Sequence, residues 1–222
     1  MRIALTGGIA CGKSLLAKYL NELGVETLDA DDIVHELIPE AERRRLADEV
    51  FRDPAKRKEL ETRIHPLVRA RLAAFAGCGM RDEGCDDRQP TADSRGDIRQ
   101  STCRKVGCWS PNVECRQLTP HLPPIEIIPL LFECHWEADY DIILCVSSPR
   151  SLQVERMTSL RGYTEEQAES RLAAQLPVEE KAARSDYVIE NGGSAENLKE
   201  EAKKLVAWLK GRYNGRRSRD KG

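Results

Sequence analysis

The residues whose types and spacing most directly suggest chemistry are Gly7-Gly8-Ile9-Ala10-Cys11-Gly12-Lys13-Ser14, a G-x-x-x-x-G-K-S pattern. The pattern suits a phosphate cradle when a strand precedes it and a helix follows. Gly7 and Gly12 admit backbone turns closed to residues with a Cβ, so successive N–H groups can point inward at a phosphate. The helix that follows adds the positive end of its dipole. The candidate phosphate contacts are Ala10, Cys11, Gly12, Lys13, Ser14 and Leu15. Lys13 supplies a mobile charge for the β- and γ-phosphates, and the Ser14 hydroxyl can ligate Mg²⁺.

Three further groups could serve such a loop. Asp29 and Asp31 stand at the end of an apolar stretch read as a strand over Val25–Leu28. Open α/β sheets place ligands at that end. One of these carboxylates caps the next helix, leaving Asp31 as a general base for a hydroxyl or a helper in holding Mg²⁺. Arg156, Arg161 and Arg171 lie on a helix–turn–helix, where a lid would close arginines over phosphates. Arg171 taken alone reads as a solvated residue. His65 precedes Pro66 and is either a helix-boundary residue or a substrate-side contact.

The elements that must position these groups follow from the spacing. Ile3–Leu5 reads as a buried strand and Leu15–Leu20 as a helix, with Gly24 as a stop signal. Residues 33–75 are helical and charged, broken at Pro39, Pro54 and Pro66, with Pro66 in a first turn. Ile125–Ile128 and Asp141–Val146 read as buried strands, and Pro129 fits a strand end. Thr164-Glu165-Glu166-Gln167 is a capping box opening a helix through Leu176. Tyr187–Ile189 is a last short strand, and a helix from about Ala195 to Leu209 precedes a frayed basic tail.

The totals suit one α/β domain with a small appendage in 222 residues. Lys and Arg number 35 against 37 Asp and Glu, which gives no support for bulk nucleic-acid binding. No apolar run approaches the ~18 residues of a membrane helix. A working loop so near residue 1 leaves no room for a signal peptide, and the expectation is a cytoplasmic protein. There are eight cysteines. Cys78, Cys85, Cys103, Cys108 and Cys115 fall within 77–124, without a C-x-x-C pair to support zinc. That stretch lacks apolar periodicity and reads as a disordered insertion; a metal-binding or redox finger is the sharper alternative.

Taken together, these residues resemble the dephospho-CoA kinase family. The resemblance is carried by Leu5–Ser14, Asp29-Ala30-Asp31, Val50-Phe51, His65-Pro66-Leu67-Val68, Ile128–Glu133, Gln153–Arg156, Arg171–Gln175 and Asp186–Gly193. It implies a P-loop NTPase three-layer fold: a parallel five-stranded sheet, a helical substrate-binding part and a helical lid. The core would be 1–32 and 125–209 with its lid near 150–177, and 33–76 would bind the acceptor. The implied reaction moves the ATP γ-phosphoryl to the ribose 3′-hydroxyl of dephospho-CoA with Mg²⁺, giving CoA and ADP in a monomer. Asp31 would be the catalytic base, Lys13 and Arg156 would act on the phosphates, and Arg161 would be a second lid contact. His65 would be on the substrate side, and the segment around Asn191 would lie by the adenine. Two departures lie on the acceptor side: Leu37-Ile38-Pro39 runs almost directly into Glu42-Arg43-Arg44-Arg45, and 77–124 replaces a shorter link. The other readings are a P-loop kinase of another small hydroxyl acceptor and a nucleotide-binding module without catalysis.

Overall fold

Residues 1–38, 40, 54–78 and 122–219 are described by the computed structural model. Five strands form a single sheet: β1 (Ile3–Gly7), β2 (Thr27–Asp29), β3 (Ile125–Ile127), β4 (Ile142–Ser147) and β5 (Tyr187–Glu190). Their order is β2-β3-β1-β4-β5, and every pairing is parallel. Every residue of β1 is buried, as expected of a central parallel strand covered on both faces. Ile3 and Leu5 pair with Ile125 and Ile127 on one side and with Ile142 and Leu144 on the other. The chain leaves β1 toward β2 on one side and reaches β4 on the other. The end of β1 is therefore the crevice where such sheets hold ligands.

The helices are α1 (Lys13–Glu22), α2 (Ala30–Leu37), α3 (Pro54–Cys78), α4 (Arg150–Arg161), α5 (Glu165–Ala173), α6 (Val178–Ala183) and α7 (Ala195–Arg219). One core cluster packs Leu16 and Leu20 of α1 with Leu198, Leu205 and Leu209 of α7 against Ile3 and Leu5 of β1. A second joins Ile33 of α2 and Ile64, Val68 and Leu72 of α3 to Ile128, Leu131 and Trp136. A third, small one holds α4 to α5 through Met157, Ala168 and Leu172, and touches Ile9 and Ala10 of the loop after β1.

Local signals set several boundaries. Gly24 takes φ 80°, and α1 closes with Val25 N–H donating to Leu20 O and Gly24 N–H to Asn21 O. Val25 is therefore the apolar residue of this helix stop, and β2 begins at Thr27, two residues later than the apolar run suggests. Thr164 and Gln167 make both bonds of the capping box, but α5 ends at Ala173, short of Leu176. Gly162 ends α4 at φ 68°.

Pro66 does not break the chain: it lies inside the continuous helix α3, and His65 is helical. Ile64, Val68, Leu72 and Ala76 recur every four residues and are all buried, while Pro66 faces outward. Burying that stripe outweighs the lost backbone bond. The last helix also outruns the expected stop at Leu209 and reaches Arg219, with Arg212 stacked 4.7 Å over the Trp208 ring. Leu122 packs against the first core. The remainder of the expected insertion, 79–121, lies outside the described residues, as do Val50-Phe51 and most of the link after α2.

One buried ion pair fixes β1 to β3 below the loop. Glu126 is fully buried and accepts from Arg2 Nε at 3.1 Å and Nη2 at 2.7 Å, and from the Tyr140 hydroxyl at 2.6 Å. Burial and this carboxylate hold the Tyr140 phenol protonated well above its usual range. Arg2→Leu leaves the Glu126 charge without its cation, which costs about 3 kcal/mol. The expected fall in Tm by thermal denaturation is about 6–12 °C for a chain this size. Pairing R2L with Glu126→Gln should recover most of that loss.

Candidate active site

The loop between β1 and α1 is built on three residues with positive φ: Gly7 at 144°, Ala10 at 59° and Gly12 at 93°. A Cβ on Gly7 would come within 2.4 Å of Val146 O, and one on Gly12 within 2.2 Å of Asn191 Nδ2. Both positions thus require glycine for space as well as for conformation. Ala10 holds the left-handed conformation with a side chain, at a cost of about 1–2 kcal/mol. Gly12 is the N-cap of α1, so the first free N–H groups of the helix open into the loop.

Lys13 begins α1 and folds back over the loop, its ammonium donating to Gly7 O at 2.9 Å and Gly8 O at 2.8 Å. Burial lowers its pKa, while the charges of Asp29 and Asp31 act the other way. Behind the loop, Asn191 Nδ2 donates to Cys11 O at 2.8 Å. Arg156 Nη1 donates to Ala10 O at 3.2 Å and to Ser148 Oγ at 3.1 Å, and its Nη2 to Asn191 O at 3.1 Å. Ser148 Oγ in turn donates to Asn191 O at 2.7 Å. Gln153 Nε2 reaches Ser148 O at 2.8 Å and the Cys11 sulfur at 3.2 Å. Cys11 is fully buried, and burial pushes its thiol pKa up, so it acts as a packing residue.

Asp29 is the N-cap of α2, and its Oδ1 accepts the Asp31 N–H at 2.9 Å. Burial raises its pKa. The capping duty falls on Asp29, and the exposed Asp31 keeps its carboxylate out of that bond. Ser14 and Asp29 line one open cleft of about 770 Å³ that runs past Asp32 and Ile127 toward Thr27. Leu15 is exposed at the start of α1. Arg161 is exposed at the end of α4. His65 is half-buried on α3, its ring edge-on to Trp136 at 5.0 Å.

The structure thus puts Ser14 and Asp29 on one cleft, sets Lys13 within electrostatic reach of Asp29 and Asp31, and places Arg156 and Asn191 at the back of the loop. Sequence reasoning gave no role to Ser148, Gln153, Gln175, Glu133 or Lys181. Gln175 Oε1 accepts the Ile9 N–H at 3.1 Å, and Lys181 pairs with Glu133 at 2.7 Å. Gln153, Gln175 and Glu133 fall within the segments that carry the family resemblance, which was the available signal. For Ser148 and Lys181 there was none, since Asn191 lies 43 residues from Ser148 and Pro129 lies 52 from Lys181.

The chain is similar to known proteins over most of its length. The family model described as dephospho-CoA kinase matches residues 1–43 and 114–197. The dephospho-CoA kinase of Anaeromyxobacter dehalogenans is 32% identical over 231 residues, covering 94% of this chain and 92% of that protein. A crystal structure from Thermus thermophilus superposes with a TM-score of 0.64 at 29% identity, covering 94% of this chain and 97% of the other. The dephospho-CoA kinase from Campylobacter jejuni shares the fold, with a TM-score of 0.58 at 22% identity over 95% and 98%.

Ala10→Gly removes the strain at φ 59° but restores freedom to the unfolded chain. The net expected gain is about 0.5–1 kcal/mol, read as a Tm rise of about 1–4 °C. The KM for nucleotide should stay within about twofold, because the N–H groups of the loop carry the phosphate. A lower Tm would show that the left-handed residue is not strained.

Proposed function

We propose that this chain, which belongs to the dephospho-CoA kinase family, performs the family reaction with Lys13, Asp31 and Arg156 as its catalytic residues. The reaction transfers the γ-phosphoryl of ATP to the ribose 3′-hydroxyl of dephospho-CoA, giving CoA and ADP. The carrying observation is the convergence of the Lys13 loop, at the end of β1, with the Asp29–Asp31 pair, at the end of β2.

The loop amides from Ala10 to Leu15 hold the phosphates, and the Lys13 ammonium shifts from Gly7 O and Gly8 O to the β- and γ-oxygens. Asp31 takes the proton of the 3′-hydroxyl, whose oxygen bonds to the γ-phosphorus as the bond to the β–γ bridging oxygen breaks. ADP leaves with that bridging oxygen. The Asp29 cap fixes the first turn of α2 and so the place of Asp31. The donors Ser14 and Asp29, both on the same cleft, fit Mg²⁺, which takes few protein ligands and hard oxygens. When bound, that ion offsets charge on the β- and γ-phosphates.

Helices α4 and α5 form the lid, within 150–177, carrying Arg156 and Arg161 to the phosphates. The side chain of Asn191 is engaged with Cys11 O, so the adenine meets the segment around it rather than its amide. Residues 33–76 bind the acceptor, with His65 on its face toward the substrate, and 1–32 with 125–209 form the core. The near-balanced charge supports small-molecule substrates over nucleic acid. A cytoplasmic monomer is the expectation, and the described helices include none long and apolar enough to cross a membrane.

Asp31→Asn should lower kcat by about a hundredfold or more while the KM for ATP changes little. Lys13→Met should lose both. Coupled ADP release with dephospho-CoA and a panel of other alcohols measures this. Turnover that is undiminished in D31N, or that shows no preference for dephospho-CoA, rejects the assignment.

A further inference from the structure

Lys181 of α6 is fully buried, and the reaction just described does not use it. A buried ammonium needs a partner, and an apolar side chain of similar size would pack there at less cost. Its partners are Glu133 Oε1 at 2.7 Å and Pro129 O at 2.8 Å. Glu133 Oε2 is buried without a hydrogen bond, so the Lys181 charge is what offsets this carboxylate. Glu133 Oε1 also accepts the Leu176 N–H at 3.0 Å, where the chain returns from α5 to α6. One residue earlier, Gln175 accepts from the Ile9 N–H of the phosphate loop. Pro129 O accepts a second bond from Thr6 Oγ1, one residue before the loop begins. Two consecutive residues are thus pinned, one to the loop and one to the turn after β3, and Lys181 holds the second pin in place.

We propose that Glu133 and Lys181 are positioning residues for phosphoryl transfer. Through Leu176 they fix where the α4–α5 pair rejoins the sheet, and so where Arg156 and Arg161 stand over the phosphate loop. The inference rests on the reading of α4–α5 as the lid.

The test uses the full chain with Lys181→Met, Glu133→Met and the double substitution. Each single variant leaves a buried charge or its partner unmatched, so Tm and kcat both fall. The double variant removes both charges, so Tm returns toward that of the unaltered protein. The proposal expects kcat to stay about tenfold or more below it, since a small misplacement near a reacting centre has effects of that size. It also expects faster hydrogen exchange at the Ile9 amide, whose acceptor is Gln175 and neither substituted residue. A merely structural pair would return kcat together with Tm and leave Ile9 unchanged, and that result overturns the proposal. If the unaltered protein does not use dephospho-CoA, the functional reading fails and exchange alone decides the hinge. Faster exchange at Ile9 in the double variant then supports it, and unchanged exchange overturns it.

Discussion

A loop that turns its N–H groups toward an anion turns its carbonyl groups toward the protein. Those carbonyls need donors, because a buried C=O without one costs as much as a lost hydrogen bond. Much of this structure supplies them. Lys13 serves Gly7 O and Gly8 O, Arg156 serves Ala10 O, Asn191 serves Cys11 O, and the Leu16 N–H closes on Gly12 O. The donors come from α1, α4 and the end of β5, so the cradle's shape is a property of the whole sheet end. Gly12 belongs to the same constraint: any side chain there would displace the Asn191 amide from Cys11 O.

In the proposed reaction, Lys13 and Arg156 would each take a second setting. Both donate to loop carbonyls in the structure described, and both carry the charge a polyphosphate would draw. Exchanging a carbonyl for a phosphate oxygen replaces a neutral partner with a charged one, and such bonds are roughly twice as strong. Burial lowers the pKa of Lys13, and the negative charge of a phosphate would offset that effect. Arg156, leaving Ala10 O, would couple the occupied loop to α4.

The loop, its flanking strand and helix, and the acid pair were legible because they depend on residues close in sequence. So were the capping box at Thr164 and the helix stop at Gly24, where a single residue type states the backbone conformation. Pro66 misled because the local rule against proline in a helix competes with a buried stripe from Ile64 to Ala76, and the stripe prevails. The last helix runs past the expected stop at Leu209, where Arg212 stacks on Trp208, a contact that composition does not reveal. Lys181 and Ser148 were invisible for a different reason. Their roles are fixed by groups beyond the ends of other elements, Glu133 and Pro129 after β3 and Asn191 after β5, and nothing in the spacing of a lone polar residue announces such a partner.

The strand order carries a consequence for how the chain is made. β1 is synthesised first but lies in the middle of the sheet, between strands that begin at Ile125 and Ile142. Five consecutive residues that end up wholly buried therefore wait without a neighbour until the chain has been made as far as Ile125. Lengthening the intervening stretch adds little to the entropy of closure, which grows only with the logarithm of length, but it does extend the wait. The nascent chain thus carries an unpaired, sticky segment until β3 follows it, which is the interval in which chaperones bind and aggregation begins.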